Sequence, residues 1–319
     1  MDATGRGAGW LELSVIADPE AVEAVAEILA RVAPAGVSIE PAFELVEEGL
    51  AARVVAARPA IVRAYLAPAD GAATAAAVER TRTALGHLQA FGLRPIGDLL
   101  TRRLDDEDWA TAWMDSFPVL RIGRRFVIRP TWRRHRRLPG DVVLALDPGV
   151  AFGTGLHPTT RLCLEGLETW AAEGRLDGAA VLDVGCGSGI LGIGAARLGA
   201  AAVLGVDVDP LAVEAAAGNA RRNGLARRVR ARSGSLPTGA GPFDLVLANL
   251  IASLLVELAP LLRDEMRAGG PGGGGRLLAS GIFEDRERDV RSAFDRHGLE
   301  VTGSRRDGEW VSLEAVRRG

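Results

Sequence analysis

Apolar and polar positions alternate at Leu11, Leu13 and Val15, the period of a strand with one buried face. Asp18-Pro19 offers a cap and a first-position proline, and Val22, Val25, Leu29 and Val32 carry a helical stripe as far as Pro34. Val37 to Ile39 reads as a second strand, and Val54-Val55 through Val62, Ala64 and Leu66 as a third. A helix over about 73–88 and a strand over 96–104 complete the order β-α-β-β-α-β. That order predicts a small ferredoxin-like α+β domain over 1–104. Asp105 to Asp108 then form an acidic helix start, with Trp109 and Trp113 four apart on one face and Pro118 as the stop. Residues 105–118 are therefore predicted to be a helical linker.

From residue 119 to 319 the pattern changes. Apolar runs at Phe126–Ile128, Val142–Leu146, Ala179–Leu182, Ala202–Val206, Val229–Ala231, Phe243–Leu250 and Arg276–Gly281 are interleaved, after Leu146, with helical stripes. Those stripes include Leu164, Leu167 and Trp170; Leu211, Val213, Ala216 and Ala220; Ser253–Leu262; and Glu284–His297. Alternation of this kind predicts a doubly wound, Rossmann-like α/β sheet, and Leu299–Val301 with Trp310–Val316 closes it with an antiparallel last strand.

One stretch carries chemistry. Val181 to Leu191 reads as a buried strand, three alternate glycines (Gly185, Gly187, Gly189) and a helix start. Such a turn brings a ligand against bare backbone N–H groups. A dinucleotide fingerprint needs glycine where Ile190 stands, so the spacing fails that motif. Asp183 precedes the first glycine by two residues; a carboxylate there repels a pyrophosphate and suits a ligand bearing sulfonium and ammonium groups. Asp207 ends the next apolar run, where an acid can accept hydrogen bonds from two ribose hydroxyls. Together these resemble the S-adenosylmethionine (SAM) site of the seven-stranded methyltransferases. Those enzymes often place an acid against the adenine where this chain has Ser233-Gly234-Ser235.

Two further stretches lie beside it. Asp147 to Thr160 is a glycine- and proline-rich loop that can fold over the methionine end of such a ligand, with Thr159 and Thr160 placed to cap the following helix or bind a carboxylate. Asn249 ends the fourth strand at the carboxyl edge, where it can hold an amine or cap the next helix.

Composition narrows the chemistry. All 38 basic residues are arginine, which excludes Schiff-base and lysine general-base catalysis; net charge is −3. Cys163 and Cys186 read as reduced thiols, and four scattered histidines suggest no metal site. Residues 1–9 lack a signal-peptide core and Leu245–Val256 is too short to span a bilayer, so the expected location is cytoplasmic, with no membrane partner. Eight arginines between Arg121 and Arg137 fit either a solvated edge or an accessory RNA contact.

Read together, four segments resemble the PrmA family, the bacterial methyltransferases of large-subunit ribosomal protein L11. They are Asp108-Trp109 to Trp113, Ile122-Gly123 to Pro130-x-Trp132, Ala151 to Thr160, and Asp183 to Gly189, and the likeness runs from about Leu11 to the C-terminus. The resemblance implies SAM-dependent methylation of lysine ε-amino groups or the α-amino group of L11; the protein is expected to be a monomer. It also implies a substrate-recognising N-terminal domain. Its implied cofactor contacts fall on Thr160, Gly185, Asp207 and Asn249, with Phe152, Gly153, Thr154, Asp183 and Gly187 beside them; Asn249 is also the candidate catalytic residue. Alternatives at this level are a lysine methyltransferase of another cytoplasmic protein and a non-catalytic SAM-holding ribosome-binding protein.

Overall fold

The structure is a computed structural model that describes residues 10–318 apart from 19–20, 34–36, 41, 47–50, 55–57, 67–70, 91–95, 105–117, 147–156 and 270–273. The predicted linker helix and the site residues Phe152, Gly153 and Thr154 thus lie outside the described residues. The chain divides into two compact units, residues 1–46 with 52–118 and residues 47–51 with 119–319.

The first unit contains β1 (Trp10–Ala17), α1 (Val22–Ala30), β2 (Val37–Glu40), β3 (Phe43–Val46), β4 (Ala51–Val54), β5 (Ala60–Leu66), α2 (Gly71–Ala90) and β6 (Leu100–Leu104). Its four-stranded sheet has the order β2-β5-β1-β6, with β1 antiparallel to both neighbours. This is the arrangement the β-α-β-β-α-β pattern predicts. Leu13, Val15 and Ala17 point to the same buried layer as Val62, Val25 and Leu29, all at most 1% exposed. The elements differ in detail. The predicted strand from 54 to 66 is two strands, β4 and β5, while β3 and β4 lie outside this sheet. Helix α1 begins at Val22 with no side-chain cap, and Ile96 makes only an isolated bridge to Ala17.

The second unit opens with β7 (Leu120–Ile122), β8 (Phe126–Arg129) and β9 (Val142–Ala145), β8 being antiparallel to β7 and parallel to β9. Next come α3 (Pro158–Ala172), β10 (Ala180–Val184), α4 (Ile190–Arg197), β11 (Ala202–Asp207), α5 (Pro210–Arg222), β12 (Val229–Ser233), β13 (Leu245–Asn249), α6 (Ala252–Glu265) and β14 (Arg276–Phe283). A single 3-10 turn (Glu284–Arg286), α7 (Glu287–Arg296), β15 (Leu299–Asp307) and β16 (Trp310–Arg317) close the chain. The sheet order is β12-β11-β10-β13-β14-β16-β15. Its first five strands are parallel and β16 runs against both β14 and β15. The strand order reverses between β10 and β13, and in open sheets the crevice outside the carboxyl ends of the strands at that switch point is where ligands bind.

Much of the arginine run is bound inward. Asp141, 3% exposed, takes an ion pair from Arg121 at 2.9 Å and hydrogen bonds from His135 Nε2 (2.9 Å) and the Leu138 N–H (2.8 Å). Burial alone raises its pKa, but the bonds from His135, Leu138 and Arg121 win and hold its carboxyl below the usual range. Arg129 donates to the carbonyls of Pro130 and Arg133, and Arg137 to that of Asp141. The turn at Gly123 is held from α3. There the Glu168 carboxylate accepts the N–H groups of Arg124, Arg125 and Phe126 at 2.7–3.0 Å.

Candidate active site

The glycine turn follows from its backbone demands. Gly185, Gly187 and Gly189 all have positive φ (67°, 52° and 78°), a region L residues with a Cβ rarely occupy. A Cβ on Gly185 would stand 2.6 Å from Leu250 Cδ2, and one on Gly189 3.0 Å from Ala216 Cβ. The turn is tied to β11 through Val206 O, which accepts the N–H groups of Gly185 and Cys186 at 2.9 and 3.1 Å.

Asp207 sits at the carboxyl end of β11. Its Oδ2 accepts the Gly187 N–H at 2.9 Å and its Oδ1 the Asp209 N–H at 3.0 Å. Each oxygen keeps a second lone pair, so the carboxylate is oriented by backbone and still able to accept two hydroxyls. Ser233, beside Asp207 in register, supplies no acid, and the Gly234 N–H turns back to Asp207 O.

Asn249 ends β13 and Thr160 lies in the first turn of α3. A long 3.5 Å contact from Asn249 Nδ2 to Thr160 Oγ1 brings these two predicted residues together across 89 positions of sequence. Asn249 does not cap the next helix, whose N-cap position is Ile251. Nor do Thr159 and Thr160 cap α3. His157 does so, its Nδ1 accepting from the Thr159 N–H (3.4 Å) and lying 2.7 Å from Thr159 Oγ1. Burial, reinforced by Arg161, pushes the His157 pKa down to about 4, so the ring is neutral near pH 7. With Nδ1 accepting, its proton is on Nε2.

Asp183 behaves differently from its expected place against a ligand ammonium. It is 2% exposed and its Oδ2 accepts the Gly192 N–H at 3.0 Å, fixing the first turn of α4. Burial raises its pKa to about 7; the Gly192 bond opposes this and Asp207 adds to it. The folded pKa lies above the unfolded one, so the native state binds the proton more tightly and stability falls as pH rises from about 4 to about 7. Asp183→Asn keeps an acceptor for Gly192 and removes the titration. Thermal melts at pH 5 and pH 7.5 should then differ less in the variant than in the parent; an unchanged difference would place the pH dependence elsewhere.

Two residues escaped the sequence pattern. Gly281 has φ 86°, and a Cβ there would lie 2.2 Å from Leu250 O, so the Asn249-Leu250 backbone needs glycine opposite it. Gly281→Ala should cost about 1–3 kcal/mol and lower turnover by displacing Asn249, read by melting temperature and initial rate; a fully active, equally stable variant would show that this packing is dispensable. Asn219, 2% exposed, donates from Nδ2 to Ser188 O (2.9 Å) and braces the glycine turn from α5. Its signal was an amide within the buried stripe Ala212, Ala216 and Ala220.

The geometry suits SAM. Bare backbone faces the switch point, a pre-oriented carboxylate stands one strand away, and an amide with a hydroxyl closes the other side. Residues 9–318 match the family described as ribosomal protein L11 methyltransferase (PrmA). This chain belongs to the L11 methyltransferase family. The L11 methyltransferase of Chloroflexus aurantiacus is 44% identical over 332 aligned residues, covering 95% of this chain and 97% of that one. The L11 methyltransferase of Herpetosiphon aurantiacus is 43% identical at 95% and 98% coverage. A crystal structure described as ribosomal protein L11 methylase from Lactobacillus delbrueckii subsp. bulgaricus is 30% identical, with a TM-score of 0.55 over 63% of this chain and 99% of that one. Among the described residues no helix is long and apolar enough to cross a membrane.

Proposed function

We propose that this protein transfers methyl groups from SAM to amino groups of ribosomal protein L11. The observation that carries the reading is the meeting of Asn249 and Thr160 at the same carboxyl edge as the Gly185 turn and Asp207. When bound, SAM supplies an electrophilic methyl group on a sulfonium. Asp207 would accept its ribose hydroxyls, and the Gly185–Gly189 backbone would lie against it. Thr160 and the loop around Phe152, Gly153 and Thr154 would hold the amino-acid end. With Nδ2 directed at Thr160, Asn249 keeps Oδ1 as an acceptor for an amine N–H, and that bond orients the nitrogen lone pair.

No described residue at the site is suited to act as a base. His157 is neutral but engaged through Nδ1, and Asp183 is buried against α4. The acceptor amine, with an ordinary pKa of about 10.4, loses its proton to solvent before transfer, and a drier pocket favours its neutral form. The first unit would recognise L11, and the enzyme would act as a monomer. Purified protein incubated with labelled SAM and L11 from cells lacking this enzyme should place methyl groups on L11 lysines or its N-terminus, located by mass spectrometry. Label on another protein would keep the chemistry and replace the substrate. An absence of label despite SAM binding would make the protein a SAM-holding binder.

A further inference from the structure

Charge on the catalytic unit is segregated. Residues 116–140 and 215–243 contain eight and six arginines and not one Asp or Glu, in a chain whose net charge is only −3. The fold brings these two segments together. Arg197, at the end of α4, donates to Asn223 O at 2.9 Å, and its pKa is lowered by burial and then by neighbouring Arg137. Asn223 in turn clasps Ala145 at the end of β9, accepting from its N–H (3.0 Å) and donating to its carbonyl (2.8 Å). Arg197 thus stands between Arg137 of the loop 130–141 and Asn223 of the turn 223–228, and the two segments flank the end of α4.

Both backbones are fixed. Asp141 locks the loop, while the turn is held by Leu225 N–H to Ala220 O (2.8 Å), Val229 N–H to Leu225 O (2.9 Å) and Val203 N–H to Arg228 O (2.7 Å). Arg134, Arg136, Arg221, Arg227, Arg228 and Arg230 are exposed there. Among the described residues these six make no ion pair, whereas several arginines toward the other end of the sheet do: Arg161 with Asp307, Arg291 with Glu287, Arg306 with Glu284 and Glu287, and Arg318 with Asp295 and Glu300.

Ordinary structural roles explain only part of this. One cation at each helix end complements the dipole, which covers Arg197 and Arg221, and an arginine on the edge strand β12 discourages strand pairing, which covers Arg230. Arg134, Arg136, Arg227 and Arg228 serve neither purpose. We propose that this arginine face, formed by the loop 130–141, the end of α4 and the turn 223–228, binds the phosphodiester backbone of RNA. Guanidinium forks match phosphate oxygens two at a time, and a fixed, acid-free array suits a repeating anion. The choice of RNA among polyanions rests on the proposed ribosomal substrate. The face lies where helices end and strands begin, opposite the carboxyl edge that holds Asn249 and Asp207, so bound RNA leaves the methylation site open.

Fluorescence anisotropy of a labelled RNA duplex, titrated with the full-length enzyme at several NaCl concentrations, tests this separately from catalysis. The parent should bind with log Kobs falling linearly against log salt. The quadruple variant Arg134→Gln, Arg136→Gln, Arg227→Gln, Arg228→Gln should reduce that slope by roughly 3–4, at about 0.9 per lost phosphate contact, and weaken binding at least tenfold at about 0.1 M salt. Its circular dichroism, melting temperature and methylation of free acceptor protein should stay at parental values. A second variant, Arg286→Gln, Arg288→Gln, Arg291→Gln, Arg306→Gln, removes four charges toward the other end of the sheet and should bind as the parent does. Undetectable binding at low salt, equal loss in both variants, or equal displacement by polyglutamate would each overturn the proposal, the last in favour of an acidic protein partner. RNA binding without methylation of L11 would sustain this face and refute the proposed substrate.

Discussion

Asn249→Ala is expected to lower turnover by roughly 10²- to 10³-fold, the scale seen when one positioning or stabilising group is lost, while SAM affinity stays within about threefold. The physical reason is that transfer to carbon needs the amine lone pair aligned with the bond being broken, and the chain offers few groups to align it. Asn249 ends β13 in parallel register with Ser280 of β14, so its backbone is fixed by sheet on one side. Its side chain is steadied by Thr160 at 3.5 Å and its flank by Leu250, whose N–H donates to Ser280 O at 3.0 Å. Truncation to alanine removes the acceptor and the Thr160 contact but leaves the backbone supports, so the variant should fold normally. Asn249→Asp is the informative companion. It retains an acceptor, so activity should recover in part if orientation matters. Turnover measured at saturating SAM, beside a titration of SAM binding followed by tryptophan fluorescence, decides the point. Equal losses in affinity and turnover would make Asn249 a ligand for the cofactor only.

Asp207→Ala has its large effect on the other quantity. Two hydrogen bonds from hydroxyls to a carboxylate contribute about 1.5–3 kcal/mol each, so SAM affinity should fall by about 10²- to 10⁴-fold. Part of the loss comes through the protein itself. The Gly187 N–H, now bound to Oδ2, and the Asp209 N–H, now bound to Oδ1, both lose their partner, and the glycine turn loosens with them. Turnover at saturating SAM should be much less affected than affinity, the reverse of Asn249→Ala. A calorimetric titration giving less than a fivefold change would remove Asp207 from the binding site. The two variants together separate holding the donor from presenting the acceptor.

The sequence was sufficient for the order of strands and helices and for the glycine turn. Strict alternation in Leu11–Val15 and continuous apolar runs such as Val181–Val184 reveal half-buried and fully buried strands because side-chain period follows backbone geometry. Three glycines at alternate positions mark a turn no other residue tolerates, and the structure puts all three at positive φ. Asp207 and Asn249 were legible because strand ends are legible, and open sheets bind ligands there. What local pattern could not give was contact between distant segments. Thr160 reads as either a helix cap or a ligand contact until the fold puts His157 in the capping role and Thr160 beside Asn249. Asp183 reads only as a ligand to an ammonium, whereas the fold also has its Oδ2 fastening α4 through the Gly192 N–H. Gly281 is an ordinary strand glycine until Leu250 O appears where its Cβ would be. The arginine run divides in the same way. Arg121 and Arg129 are consumed by Asp141 and by carbonyls, while Arg134 and Arg136 stay exposed. Sequence determines periodicity, backbone permission and the chemistry available at each position. Tertiary structure alone decides which side chains spend their hydrogen bonds on the fold and which remain for a ligand, because that depends on neighbours no local pattern encodes.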